Sequence, residues 1–119
     1  MKTPKQILER RRCVRLVEAL PFKIGHQGYE IEAMTVNISS HGAMCLVDRD
    51  IPLMTQLKVA MILSGSGAAK SVHATGVVVR KDPNPDSDKF FVAVYFSSIK
   101  PADQKTLNHY IEQRLKRNL

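Results

Sequence analysis

Four arginines fall within six residues at Arg10-Arg11-Arg12-Cys13-Val14-Arg15, just ahead of a long β-like region. Guanidinium groups are planar, permanently charged donors. They grip a phosphate or a guanine edge bidentately and stack on a base face, where lysine offers only a point charge. A second polar stretch, Asn37-Ile38-Ser39-Ser40-His41-Gly42, lies between two strand-like runs and combines short hydrogen-bonding side chains with a glycine. Taken singly, each has a plainer reading. The arginines could be a solvated basic arm, and the second stretch a hairpin in which Asn37 and Ser39 bond local backbone and Gly42 takes a positive φ.

The pair is more specific than its halves. Arg11-x-x-x-Arg15 followed by Asn37-x-Ser39-x-x-Gly42 resembles the paired signature of PilZ domains, bacterial receptors for cyclic di-GMP. The resemblance extends over nearly the whole chain. Ala43 to Val47 is similar to the family's strand after the glycine, Gly76 to Arg80 to a later strand, and Phe91 to Phe96 to the strand that ends the barrel before a C-terminal helix. Ala93 departs from the pattern, standing where family members often carry glycine. The resemblance implies a stand-alone six-stranded antiparallel PilZ-type β-barrel with a C-terminal helix. It assigns Arg11, Arg15, Asn37, Ser39 and Gly42 to the ligand site. Arg10, immediately before the motif, goes in this family with an intercalated dimer of cyclic di-GMP, so two ligands per chain are expected.

The chemistry of the residues agrees with such a ligand. Arg11 and Arg15 can neutralise phosphate and cover or edge-bind guanine, while Asn37 and Ser39 can hydrogen-bond a guanine edge or a phosphate. Gly42 would let backbone and ligand approach with no Cβ between them. No acidic metal cluster and no general base stand out in the sequence, so a receptor that needs no cofactor is expected rather than an enzyme.

Composition bounds the rest. A chain of 119 residues with 44% hydrophobic content has enough for one core, and its formal net charge of +7 favours an anionic partner. The charge gathers at the two ends, through Lys2, Lys5 and the arginines at one and Arg114, Lys116 and Arg117 at the other. No stretch reaches the roughly 18 apolar residues of a membrane span, and the first residues lack the apolar segment of a secretory signal, which predicts a cytoplasmic protein. Cys13 and Cys45 have no metal or disulfide spacing, and Cys45 reads as a small core residue.

Along the chain, Thr3-Pro4 could cap a short helix, and residues 1–16 form an arm that carries the arginines ahead of a domain at 17–119. From Phe22 the hydrophobic period becomes two with frequent turn residues, which is an all-β pattern. Strands are expected at Phe22–Ile24, Tyr29–Ile38, Ala43–Val47, Leu57–Leu63, Val72–Lys81 and Phe90–Ser97, with Gly25-His26-Gln27-Gly28 as the first turn. Within Tyr29–Ile38 the apolar positions switch from Tyr29, Ile31 and Ala33 to Met34, Val36 and Ile38, the phase slip of a β-bulge. Pro101-Ala102-Asp103 opens a helix whose stripe of Leu107, Tyr110, Ile111 and Leu115 must cover an open end or seam of the barrel.

Other candidate sites fail on their own chemistry. Ser64 to Ser71 looks like a P-loop but lacks its glycines and leads into a strand, and Asp82 to Ala93 lacks the glycine and the final glutamate of a calcium loop. His26, His41, His73 and His109 have no paired spacing and read as surface residues. A small nucleic-acid-binding barrel is the second reading, weakened by the scarcity of aromatic residues for a stacking platform, and nucleic acid is not the expected partner. A third is a PilZ-like adaptor acting through protein contacts, and in any of these an effector protein is left unidentified.

Overall fold

The computed structural model describes residues 15–64 and 68–117. Six strands, β1 (Pro21–His26), β2 (Tyr29–Ile38), β3 (Gly42–Val47), β4 (Gln56–Leu63), β5 (Lys70–Pro83) and β6 (Phe90–Ile99), precede one helix, α1 (Pro101–Arg117). All six expected strands are present, each at or slightly beyond its expected limits. The strands close into an antiparallel barrel in the order β1-β2-β3-β6-β5-β4, with β1 pairing β4 to complete the ring. Closure leaves no open seam. The helix instead lies across one end, bonding to the β2–β3 turn through Gln104 and to the end of β4 through Arg114.

Alternation decides which side chains enter the barrel. Phe22 and Ile24, Ala43, Cys45 and Val47, Leu57, Val59, Met61 and Leu63, and Val92, Val94 and Phe96 are all buried at every second position. Leu107, Tyr110 and Ile111 close the core from the helix side with Leu115 packed against it, as their spacing predicts. Ile51, between β3 and β4, is also buried, a core position with no strand period to announce it. Cys45 is fully buried, as expected, and burial pushes its thiol up to about 12 from 9.0.

Three local readings change. The first turn is only Gln27-Gly28, with φ of 49° and 80°, so Gly25 and His26 belong to β1. Both central residues of this two-residue hairpin take the left-handed conformation that matches strand twist. In β2 the register does shift, but between Thr35 and Asn37. Met34 is 47% exposed and Thr35 is the inward residue. A hydroxyl wins this inward position because its bonds are satisfied there: it accepts from the Leu20 amide at 2.8 Å and donates to the Glu18 carbonyl at 2.6 Å. The third change concerns Gly42, whose φ is not positive. A Cβ there would collide with the Val94 carbonyl oxygen and lie 3.4 Å from Tyr95 Cα, so glycine is required by the approach of β3 to β6.

Candidate functional site

Arg15, the last residue of the first motif, lies beside the Asn37–Gly42 turn at the barrel end that α1 covers. Leu16 pairs with Ile38 through two backbone bonds, Leu16 N–H to Ile38 O at 2.7 Å and Ile38 N–H to Leu16 O at 2.9 Å. This bridge sets Arg15 beside the Asn37–Ser39 segment, and the Arg15 guanidinium donates to Asn37 Oδ1 at 3.5 Å across 22 positions of sequence. At that length the contact is a weak one, leaving the exposed guanidinium with donors to spare. Arg10 and Arg11 lie outside the described residues, as do Cys13 and the expected helix at Thr3.

The turn is a rigid wall. Ser39 N–H donates to Gly42 O at 2.8 Å and its hydroxyl donates to the same oxygen at 3.3 Å, while His41 N–H donates to Ser39 Oγ at 3.3 Å. Phe96 N–H donates to His41 O at 2.8 Å, and Gln104 Nε2 to Ser40 O at 2.9 Å, so β6 and α1 hold the turn from two sides. Asn37, Ser39 and Gly42 are all half-buried. Ser39 is engaged locally, in line with the plainer hairpin reading, and Asn37 is the side chain that reaches Arg15.

A second network went unread in the sequence. The segment after Arg15 is docked by buried Leu16 and Leu20, and between them Glu18 faces the helix. Tyr110 donates its hydroxyl to Glu18 Oε1 at 2.9 Å, and Arg114 donates through Nε to Tyr110 Oη at 3.2 Å and through Nη2 to Ser64 O at 2.6 Å. Arg114 Nη2 also lies 3.4 Å from Glu18 Oε1, and its guanidinium sits 5.2 Å from the Tyr110 ring centre. Burial first, and the Glu18 carboxylate after it, push the Tyr110 hydroxyl above its ordinary range, with Arg114 pulling the other way. The four-residue spacing of Tyr110 and Arg114 could have signalled their mutual contact, but nothing local points to Glu18, 92 positions away.

The histidines lie on the surface or half-buried, and no cluster of metal-binding side chains occurs among the described residues. No helix among those residues is long and apolar enough to cross a membrane.

Comparison with known proteins agrees with the architecture. The structure is similar to that of the Bacillus subtilis inhibitor of motility (MotI/DgrA), with TM-score 0.79, 24% identity, and coverage of 92% of this chain and 54% of the other, so the chain spans about half the length of that neighbour. It is also similar to the PilZ domain of YcgR from Escherichia coli, solved with c-di-GMP, with TM-score 0.63, 14% identity and coverage of 92% and 93%. No curated protein matches the chain. The PilZ domain family model matches residues 9–113, a span that takes in both arginine and turn motifs, the whole closed barrel and most of the covering helix, and the chain belongs to the PilZ domain family.

Proposed function

We propose that this chain is a receptor for cyclic di-GMP, held between Arg10, Arg11 and Arg15 on one side and Asn37, Ser39 and Gly42 on the other. The observation that carries the reading is the contact of Arg15 with Asn37, one residue from each motif, at an exposed edge of the barrel. Family membership supports it, since PilZ domains are ligand-binding receptors rather than enzymes, and the similar Escherichia coli domain was solved with c-di-GMP. Arg15 would exchange its weak bond to Asn37 for a phosphate or a guanine edge, freeing Asn37 Oδ1 for a guanine donor. Gly42 contributes by keeping β3 tight against β6, so that the turn presents a fixed edge. Arg10 adds a third guanidinium, enough to neutralise or stack on the second molecule of an intercalated dimer.

Signalling follows from where the arginines lie. Leu16 is already bridged to Ile38, so a ligand touching both motifs orders the part of the arm ahead of Leu16 against the barrel and so changes the surface an effector meets. Because fixing backbone costs on the order of 1 to 2 kcal/mol per residue, only the few residues around the arginines are ordered within a realistic binding energy. Calorimetric titration with cyclic di-GMP, with linear dinucleotide and GTP as controls, tests the reading. Micromolar or tighter binding, about 8 kcal/mol, is expected for the cyclic ligand alone. Equal heats from all three would defeat it.

A further inference from the structure

The outer side of α1 forms, with the facing ends of β4 and β5, a trough of about 450 Å³ that the nucleotide reading does not use. Leu63, Ala68 and Ala102 give it apolar lining, and Lys70, Lys105, His109 and Arg114 give it cationic or protonatable groups. Among the described residues no carboxylate lines it: Asp103 and Glu112 belong to the same helix but are not part of its wall. Ala102, Lys105, His109 and Gln113 recur at helical spacing, so the wall is one continuous stripe. From Ala102 to Arg114 the helix rises about 18 Å, a length suited to an extended peptide more than to a compact metabolite.

The chain already seats one carboxylate at the edge of this trough. Glu18 Oε1 lies 2.9 Å from the Tyr110 hydroxyl and 3.4 Å from Arg114 Nη2, and both of those residues are part of the wall. Both charged side chains are about a quarter exposed, so the pair is in reach of a competitor. Farther along, the Lys70, Lys105 and His109 side chains make no ion pair or hydrogen bond among the described residues. We propose that this trough is a docking site for an acidic, partly apolar segment of a partner protein, whose carboxylates meet Lys70, Lys105 and His109 and compete with Glu18 for Arg114. Leu63 and the two alanines receive its apolar side chains.

The test uses the full chain and a fluorescein-labelled octapeptide of alternating glutamate and leucine, with a lysine–leucine octapeptide and a short single-stranded oligonucleotide as the other arms. Anisotropy should show saturable binding of the acidic peptide alone. The double variant K105E/H109E should weaken it about tenfold or more by placing like charges in the wall, and Glu18→Gln should tighten it about threefold, the scale of a partly exposed ion pair. Amide resonances of residues 105–113 should shift on titration. Because Lys105 and His109 are exposed, the double variant should keep its fold and its cyclic di-GMP titration unchanged. Loss of nucleotide binding in the wild-type chain with peptide binding intact would defeat the proposed function and leave the trough standing. Absence of saturable peptide binding, equal binding by the double variant, a neutral Glu18→Gln, or an oligonucleotide that binds with the same dependence on Lys105 would each overturn the docking proposal.

Discussion

At the scale of single residues, Arg15 and Gly42 make different contributions to one edge. Arg15 is exposed and bonded only weakly, so removing it should leave the fold intact while removing a charge-assisted bond to the ligand, typically roughly 2 to 5 kcal/mol. Arg15→Ala is therefore expected to weaken cyclic di-GMP binding by well over tenfold, with Lys116→Ala changing little. If calorimetry finds the two equally weakened, the site is general electrostatics. Gly42→Ala should act first on stability, because its methyl meets the Val94 carbonyl, and crowding of this kind costs about 1 to 3 kcal/mol. A urea midpoint that does not move would show that β3 can yield there. Cys45 supplies a pH prediction. Its thiol is pushed up to about 12 from 9.0, so above pH 9 the folded chain holds a proton that the unfolded chain releases, and stability falls as pH rises toward 12. In a Cys13→Ser variant, iodoacetamide at pH 9 should modify Cys45 only after urea unfolding. Equal rates with and without urea would contradict the burial.

Among elements, the connection from Arg15 into β1 couples the arginines to the rest of the molecule. Leu16 bonds Ile38, Leu20 bonds Thr35, and Glu18 reaches Tyr110, so this segment is fixed to β2 and to α1 together. Thr35→Val keeps the shape but leaves the buried Leu20 amide without its partner, at a cost of about 1 to 3 kcal/mol, measurable as a lower urea midpoint. Hydrogen exchange separates this docked segment from the arm. The Leu16 and Leu20 amides are bonded without ligand and should already be protected, whereas residues 8 to 15 should gain protection only when cyclic di-GMP is added. Strong protection of the arm in the free protein, or no gain on binding, would sink the switch even if the affinity were as expected.

For the whole molecule, the closed barrel carries the Asn37–Gly42 turn, and the Leu16–Ile38 bridge sets Arg15 beside it. The helix bonds Ser40 of the turn through Gln104 and Glu18 of the connection through Tyr110 and Arg114, so it touches the surroundings of both motifs. With Arg10 in place, titration should show two cyclic di-GMP molecules per chain, and a one-to-one stoichiometry in the wild-type protein would rule out the intercalated dimer.

The six strands, the helix and its inward stripe were legible in the sequence because alternation and helical spacing are local consequences of which side chains must leave water. The candidate site residues were named from the sequence too, on residue types that carry the chemistry wherever they are placed. The approach of Arg15 to Asn37 was not legible there. It depends on the Leu16–Ile38 bridge, a pairing whose register no short pattern encodes. The same holds for Thr35, which hydrophobic periodicity passes over in favour of Met34 and which is inward only because Leu20 and Glu18 arrive to satisfy its hydroxyl. Gly42 was recognisable as necessary, but the reason, a strand from far along the chain lying against it, belongs to the barrel alone. Composition and period thus determined the elements and the candidate chemistry. Closure of the ring decided which residues face one another, because contacts between distant parts of a chain arise from the packing of whole elements.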